Sequence, residues 1–393
     1  MSKTLPIYLD NHSTTKPDPR VVEAMLPYLT ERYGNAASEH GVGWVARGAV
    51  ENAREQVAAL LGAGTEEIVF TSGATESVNL AIKGIAEAYG SRGRHLITAA
   101  TEHRAVLDTC SVLERHGFSV TVLPVDGQGL LSPSEVERAM SGETILVSIM
   151  AANNEIGTIA PLEEIGALCR SRGVLLHSDA TQAVGRIPFD VSRVPVDLVS
   201  FSAHKMHGPK GAGALYVRSS APRIRLVQQI DGGGHERGVR SGTANVPAIV
   251  GFGEAAAVAA LEMEEEMDRI SSLRDRLVEG IISRINDARL NGHPERRLPN
   301  NANLTFPGTE ADRVILEMKE IALSTGSACS SASPEPSHVL RAIGLDRAEA
   351  VASIRFGLSR FTTGEEIDYT IGRLAEVVER QRRPAEKLQN TGR

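Results

Sequence analysis

The chain has 393 residues, of which 41% are hydrophobic and 23% charged, with a formal net charge of −7. That is an ordinary globular balance, in a chain too long for one hydrophobic core to serve. An acidic total excludes a general electrostatic affinity for nucleic acid or anionic membrane. Three cysteines exclude a disulfide framework and fit a reducing compartment, so the cytoplasm is the expected location.

The first apolar run, Leu5 to Leu9, is too short for the core of a signal peptide. From about residue 50 to 220, short apolar runs alternate with amphipathic segments. EEIVFTS, HLITAA, SVTVLPV, TILVSIM, GVLLHSDA, DLVSFSAHK and GALYVR read as strands. Val50–Leu61, Glu76–Tyr89, Ala105–His116, Ser134–Met140 and Leu162–Arg172 read as the helices among them. This alternation predicts an α/β domain with a mostly parallel sheet. The run Ala244–Leu261 has the length of a membrane span, but Asn245, Pro247 and Glu254 make it a buried helix instead. A long helical pattern over 251 to about 286 leads to a second unit. There ANLTF, IALSTGSAC and ASIRFGLS read as strands, and DRVILEMKE and Glu365 to about Gln381 as helices. The expected division is a large domain over 15–260 and a smaller α/β domain from 1–14 and 261–393.

Three motifs carry chemistry. In FTSGATESVNL a strand runs through Ser72-Gly73-Ala74-Thr75 into a helix. Small residues and the free N–H groups of a helix start suit a phosphate, and an ordinary capped helix start fits the same pattern. In LLHSDATQAVG, Asp179 ends a strand, where α/β sheets place their ligands. Its partner is either a helix N-terminus or a protonated ring nitrogen. In LVSFSAHKMHGPKG, Lys205 follows an apolar strand. A partly desolvated lysine there becomes a nucleophilic amine that can hold an aldehyde. Lys210 is its more exposed competitor, and His204 with His207 lack the further ligands of a metal site. An anion cup, an acid and a lysine, each on a strand end, match the needs of pyridoxal phosphate (PLP).

With these motifs the chain resembles the cysteine desulfurases of the iron–sulfur-cluster-assembly and nitrogen-fixation type, within the class V aminotransferases and the fold-type I PLP enzymes. The matching blocks are YLDNHSTT, FTSGATESVN, TEHRAV, NNEIGT, HSDATQAVGRIP, SAHKMHGPKG, GGGHERGVRSGTANV, LSTGSACSSASPEPSHVLRAIG and RFGLSRFT. The resemblance implies that Lys205 holds the cofactor's aldehyde, Asp179 pairs with its ring nitrogen and Gln182 with its ring hydroxyl. It implies that His103 stacks on the ring and moves protons, and that Ala74, Thr75, Ser202 and His204 hold the phosphate. Thr243 would reach the phosphate of a second subunit in a homodimer. Asn154, beside the cofactor, and Arg355 would hold the carboxylate of L-cysteine. Read alone, Asn154 also fits a turn, Arg355 an exposed edge strand, Gln182 a first helical turn and His103 a strand end. One departure is Ala36 after Gly34-Asn35, where many members of the group carry proline.

Cysteine 329 stands in STGSACSS, a run with no apolar face to join. Cys110, with Val106, Leu107 and Leu113, and Cys169, with Ile165 and Leu168, read instead as core. The resemblance implies that Cys329 takes the substrate's sulfur as a persulfide, leaving L-alanine, and passes it to a sulfur-acceptor protein. The C-terminal tail does not match a scaffold-docking tail, so the acceptor stays open among iron–sulfur, thio-cofactor and tRNA pathways and DNA sulfur modification. A selenocysteine lyase or aminotransferase needs no such cysteine, and a non-catalytic scaffold homologue needs none of the three groups Lys205, Asp179 and Cys329.

Overall fold

A computed structural model describes residues 6–325 and 336–382. The chain opens with β1 (Ile7–Tyr8), α1 (Pro19–Thr30) and α2 (Gly41–Leu61). Then come β2 (Ile68–Thr71), α3 (Ala74–Tyr89), β3 (His95–Ala99), α4 (Arg104–Arg115), β4 (Ser119–Leu123), α5 (Pro133–Ala139), β5 (Thr144–Ser148), α6 (Leu162–Arg172), β6 (Leu175–Asp179), β7 (Leu198–Ser202) and β8 (Gly213–Val217). Helix α7 (Val246–Arg284) leads to β9 (Arg289–Leu290), β10 (Asn301–Thr305), α8 (Ala311–Glu317), β11 (Ile321–Ala322), α9 (His338–Ala342), α10 (Arg347–Val351), β12 (Ser353–Gly357) and α11 (Gly364–Arg382).

All seven strands predicted in the first half form one sheet, in the order β2-β8-β7-β6-β5-β3-β4. The pairs β3–β4, β3–β5, β5–β6 and β6–β7 are parallel, while β8 runs antiparallel to β7 and β2. The C-terminal ends of β2, β3, β5, β6 and β7 therefore lie on one edge, together with the start of β8. Strands β2, β3, β5 and β7 are buried along their whole length, which is why they are continuous apolar runs. Edge strand β4 exposes Ser119 and Val122.

Helices α9 and α10 were not predicted, and α1 and α2 also differ from the sequence reading. Helix α2 starts at Gly41, nine residues before the predicted Val50. Gly41, Gly43 and Gly48 weaken the helical signal there, and Val42, Trp44 and Val45 are exposed instead of marking a buried stripe. Helix α1 was not predicted, because Pro27 interrupts its pattern. Its start nonetheless carries ordinary signals: Asp18 Oδ1 accepts from Arg20 N at 3.0 Å, and Pro19 takes the first position.

Helix α7 buries Val246, Phe252, Ala255 and Ala256 against the core under the large sheet, where Phe252 stacks edge-on against Phe201 at 5.6 Å. Its apolar stretch is thus a core helix of membrane-span length. The same helix delivers Ile270, Leu277 and Ile281 to a second cluster. There they meet Leu9 from the start of the chain, Leu304 and Phe356 from the antiparallel sheet β12-β10-β9, and Leu374 and Val378 from α11. Among the described residues, the predicted strand IALSTGSAC is seen as β11 plus a bridge from Ser324 to Arg355. Cys329 lies outside the described residues.

Candidate active site

At the shared edge of the sheet a cavity of about 540 Å³ opens, at the carboxyl ends of the parallel strands where such folds hold ligands. Of the predicted site residues, Ala74, Thr75, His103, Asn154, Asp179, Gln182, Ser202, His204, Lys205 and Arg355 all line it. They arrive from the ends of five strands of the large sheet and from β12. Thr243 does not. It lines an adjoining cavity, and the two cavities share Ser72 and Gly211.

The anion cup follows from backbone geometry. Gly73, at φ +157°, stands before α3 and offers no side-chain cap. The first N–H groups of α3 therefore face the cavity without a side-chain acceptor, under the positive end of the helix dipole. The cup is narrow because β8 passes close by: a Cβ on Gly213 would stand 2.5 Å from Gly73 Cα. Only glycine fits there.

Lys205 sits on the turn after β7. Its Nζ donates to the His12 carbonyl and, at 2.7 Å, to that of Ser13. Its competitor Lys210 reaches the cavity too, but is exposed. His204 Nδ1 is 3.1 Å from Thr14 Oγ1, and burial, then the Lys205 and Lys210 charges, push its pKa down to about 4. It thus faces the cavity as a neutral imidazole. His207 turns away, with Nδ1 2.9 Å from the Lys16 carbonyl.

Asp179 is buried at the end of β6, and its Oδ1 accepts from Thr181 N at 3.0 Å. No helix follows, so Asp179 holds a turn and Gln182 lies within that turn. Thr181 Oγ1 is buried beside them without a partner among the described residues. His103 caps α4: its Nδ1 accepts from Ala105 N at 3.1 Å, which places the proton of the neutral ring on Nε2. Arg355 is buried, not exposed on an edge. Its Nη2 donates to Asp10 Oδ1 at 3.0 Å and Ser13 Oγ at 2.8 Å, and its Nη1 to the Asn154 carbonyl at 3.0 Å. Its Nε is buried without a partner among the described residues.

One residue of the site and one buried beside it have no sequence signal of their own. His12, in a polar run, lines the cavity and touches Gln182. Glu102, next to His103, is wholly buried: Oε1 accepts from Met150 N at 2.7 Å and Oε2 has no partner among the described residues. Burial above all, with the Asp179 charge adding to it, raises its pKa well above the usual carboxylate range. The folded protein therefore keeps a proton on Glu102 at pH values where the unfolded chain has lost it. Stability is then lost as pH rises from the unfolded value near 4.3 toward the folded one, by up to about 1.4 kcal/mol per pH unit. Glu102→Gln is expected to remove this slope, so that the variant's melting temperature gains on the wild type as pH rises above the unfolded value near 4.3.

The group that fits this cavity carries an anion, an aldehyde for an amine, a ring nitrogen for a carboxylate and a ring oxygen for an amide; PLP has all four. The Aminotransferase class-V family model matches residues 7–370. The cysteine desulfurase IscS of Anaeromyxobacter dehalogenans (strain 2CP-C) is 55% identical over 379 residues, covering 96% of this chain and 94% of that protein. A solved NifS-like protein superposes with a TM-score of 0.89 at 40% identity, covering 95% of this chain and all of the other. A structure described as SspA in complex with cysteine superposes with a TM-score of 0.81 at 39% identity, over 91% of this chain and all of the other. With the sheet, the cavity and near-complete matches pointing the same way, the chain belongs to the class V aminotransferase family and, within it, to the cysteine desulfurases.

Proposed function

We propose that the cavity holds PLP and that the enzyme uses it to convert L-cysteine to L-alanine, passing the sulfur through Cys329 to an acceptor protein. The observation that carries this reading is the meeting of Lys205, Asp179, Gln182, His103 and an uncapped helix start in one cavity. When bound, the cofactor supplies an electron sink for the substrate's α-carbon. Ala74, Thr75, Ser202 and His204 hold its phosphate, Asp179 its ring nitrogen, Gln182 its ring oxygen and Lys205 its aldehyde carbon. His103 and Lys205 are the groups positioned to move protons at the substrate. Asn154 and Arg355 bind the substrate carboxylate, with Arg355 held ready by Asp10 and Ser13. The Cys329 thiolate then attacks the substrate sulfur. A sulfur–sulfur bond forms as the carbon–sulfur bond breaks, and the three-carbon fragment keeps the electron pair, gains a proton and leaves as alanine. The acceptor belongs to iron–sulfur, thio-cofactor or tRNA sulfur assembly in the cytoplasm.

The direct test adds PLP to the purified protein and measures visible absorbance, then alanine formed from L-cysteine with a reductant present. A yellow protein that forms alanine supports the reading. A colourless protein that cannot be reconstituted overturns it in favour of a scaffold role. Arg355→Ala is expected to raise KM for L-cysteine about 10- to 100-fold while leaving the absorbance of the bound cofactor in place, since charge-assisted bonds to a carboxylate are worth ~1.5–3 kcal/mol.

A homodimer belongs to the same reading. Val22, Leu26 and Leu29 of α1 and Val42, Trp44 and Val45 of α2 are exposed apolar side chains, a surface suited to a second copy. Thr243, outside this chain's own phosphate cup, would then serve the partner's. Leu26→Asp with Leu29→Asp is expected to give a monomer in sedimentation and to weaken PLP binding about tenfold, the worth of a phosphate contact.

A further inference from the structure

We propose that His12 is a positioning residue that sets which face of the Gln182 amide is presented to the cofactor, through a relay of hydrogen bonds that begins at Arg297. The inference rests on the reading of Gln182 as the partner of the cofactor's ring oxygen.

An amide or imidazole alone does not reveal which end carries hydrogen. Here the ambiguity is removed step by step, because the relay starts from a group that can only donate. Arg297 Nη2 donates to Asn301 Oδ1 at 3.2 Å, so the other end of the Asn301 amide is its nitrogen. Asn301 Nδ2 donates one hydrogen to the Glu155 carbonyl at 3.1 Å and aims the other at His12 Nε2, also at 3.1 Å. Nε2 must then accept. The Asn300 carbonyl, 3.3 Å from Nε2, is the longer contact, and a proton on Nε2 facing it would also face the Asn301 N–H. Burial, then the charges of Arg355 and Arg186, keep the His12 pKa well below its usual value, so the ring has a single proton to place. It sits on Nδ1, which stands 2.9 Å from Gln182 Oε1. Oε1 is therefore an acceptor. Gln182 Nε2 donates one hydrogen to the His12 carbonyl at 3.1 Å, and its second hydrogen is left for the cavity.

Arg297, Asn301, His12 and Gln182 are all at most 5% exposed, so water does not re-sort the pattern. A donor aimed at the ring oxygen stabilises its anionic form, whereas a flipped amide would place a lone pair there. The relay thus runs from Arg297 through Asn301 on β10 and His12 to Gln182 after β6, and Lys205 Nζ bonds the same His12 carbonyl.

The test compares PLP-loaded wild type with His12→Leu, His12→Asn, Gln182→Leu and the His12→Leu/Gln182→Leu double variant. The readout is the pH midpoint of the cofactor's visible band. Both leucine variants are expected to raise the midpoint by about half a unit or more, since the anionic ring oxygen loses its donor and the proton beside it is held more tightly. The double variant should shift no further than Gln182→Leu alone, because the two residues act through one bond. His12→Asn can place an amide N–H where Nδ1 stands, and should stay within about 0.2 units of wild type. A wild-type midpoint in His12→Leu, or shifts that add in the double variant, would overturn the proposal. Nitrogen-15 NMR of the wild-type protein, with His12→Asn to identify the signal, reads the tautomer independently of how the leucine variants fold. A proton on Nδ1 supports the relay, and one on Nε2 overturns it. If wild type develops no visible band with PLP, the failure belongs to the functional reading, and the NMR result still decides the tautomer.

Discussion

Lys205→Ala is expected to give a folded, colourless protein whose alanine formation from L-cysteine falls at least about a thousandfold, as losses of a covalent catalytic group do. The fold should survive because the side chain is only partly buried and donates to two carbonyls that border an open cavity. The loss is chemical: among the described residues, the other amine that lines the cavity is that of Lys210. Lys210 reaches the cavity from an exposed position beyond Pro209 and is not expected to substitute. Lys205→Arg separates charge from bonding, since a guanidinium keeps the positive charge but does not act as an amine nucleophile. It should be as inactive as the alanine variant. Lys210→Ala should keep the visible band. Absorbance after PLP addition and dialysis, with alanine assayed in parallel, measures both effects. A visible band retained in Lys205→Ala would remove Lys205 from its place in the site.

Most of the sheet was legible because strands such as β2, β3, β5 and β7 are buried along their whole length. A run such as IVFT or LVSFS, apolar throughout and bounded by small residues, has few alternatives. The same burial explains why the ligand edge was legible: Asp179 and Lys205 are polar residues placed where an apolar strand stops. Read alone, Gln182 fits a first helical turn as well as a ligand site, and its position depends on Asp179 bonding Thr181 N in a local turn. Arg355 in isolation fits an exposed edge as well as a buried one. Its burial depends on Asp10 and Ser13, more than 340 residues away in sequence. His12 and Glu102 belong to the same class. A lone histidine among Asn, Ser and Thr has no period to read, and the unpaired oxygen of Glu102 is a fact of three dimensions. Glycine hid the first nine residues of α2, since propensity there argues against the helix that tertiary contacts impose.

Cys329→Ala is expected to keep the visible band and to lose alanine formation with a persulfide, again by at least about a thousandfold. The two other cysteines supply the contrast. Cys110 and Cys169 are buried among apolar side chains, and burial pushes both thiols up to about 12. At neutral pH neither supplies a thiolate, so neither can serve as nucleophile or sulfur carrier. Cys329 has no apolar partners in its sequence neighbourhood, and it is the remaining thiol of three. Alkylation near pH 7.5 with the protein folded should therefore mark Cys329 first and stop alanine formation in proportion to the label. PLP already in place should be undisturbed, because Lys205, Asp179 and the α3 start, the groups proposed to hold it, include no thiol. Mass spectrometry of the enzyme after one turnover without reductant should find a single added sulfur on the peptide containing Cys329. Alanine formed at the wild-type rate by Cys329→Ala would mean that the carbon–sulfur bond is broken without a protein thiol, as a lyase breaks it. The cavity would then be the same and the route of the sulfur different, which is why the band and the alanine must be measured on the same sample.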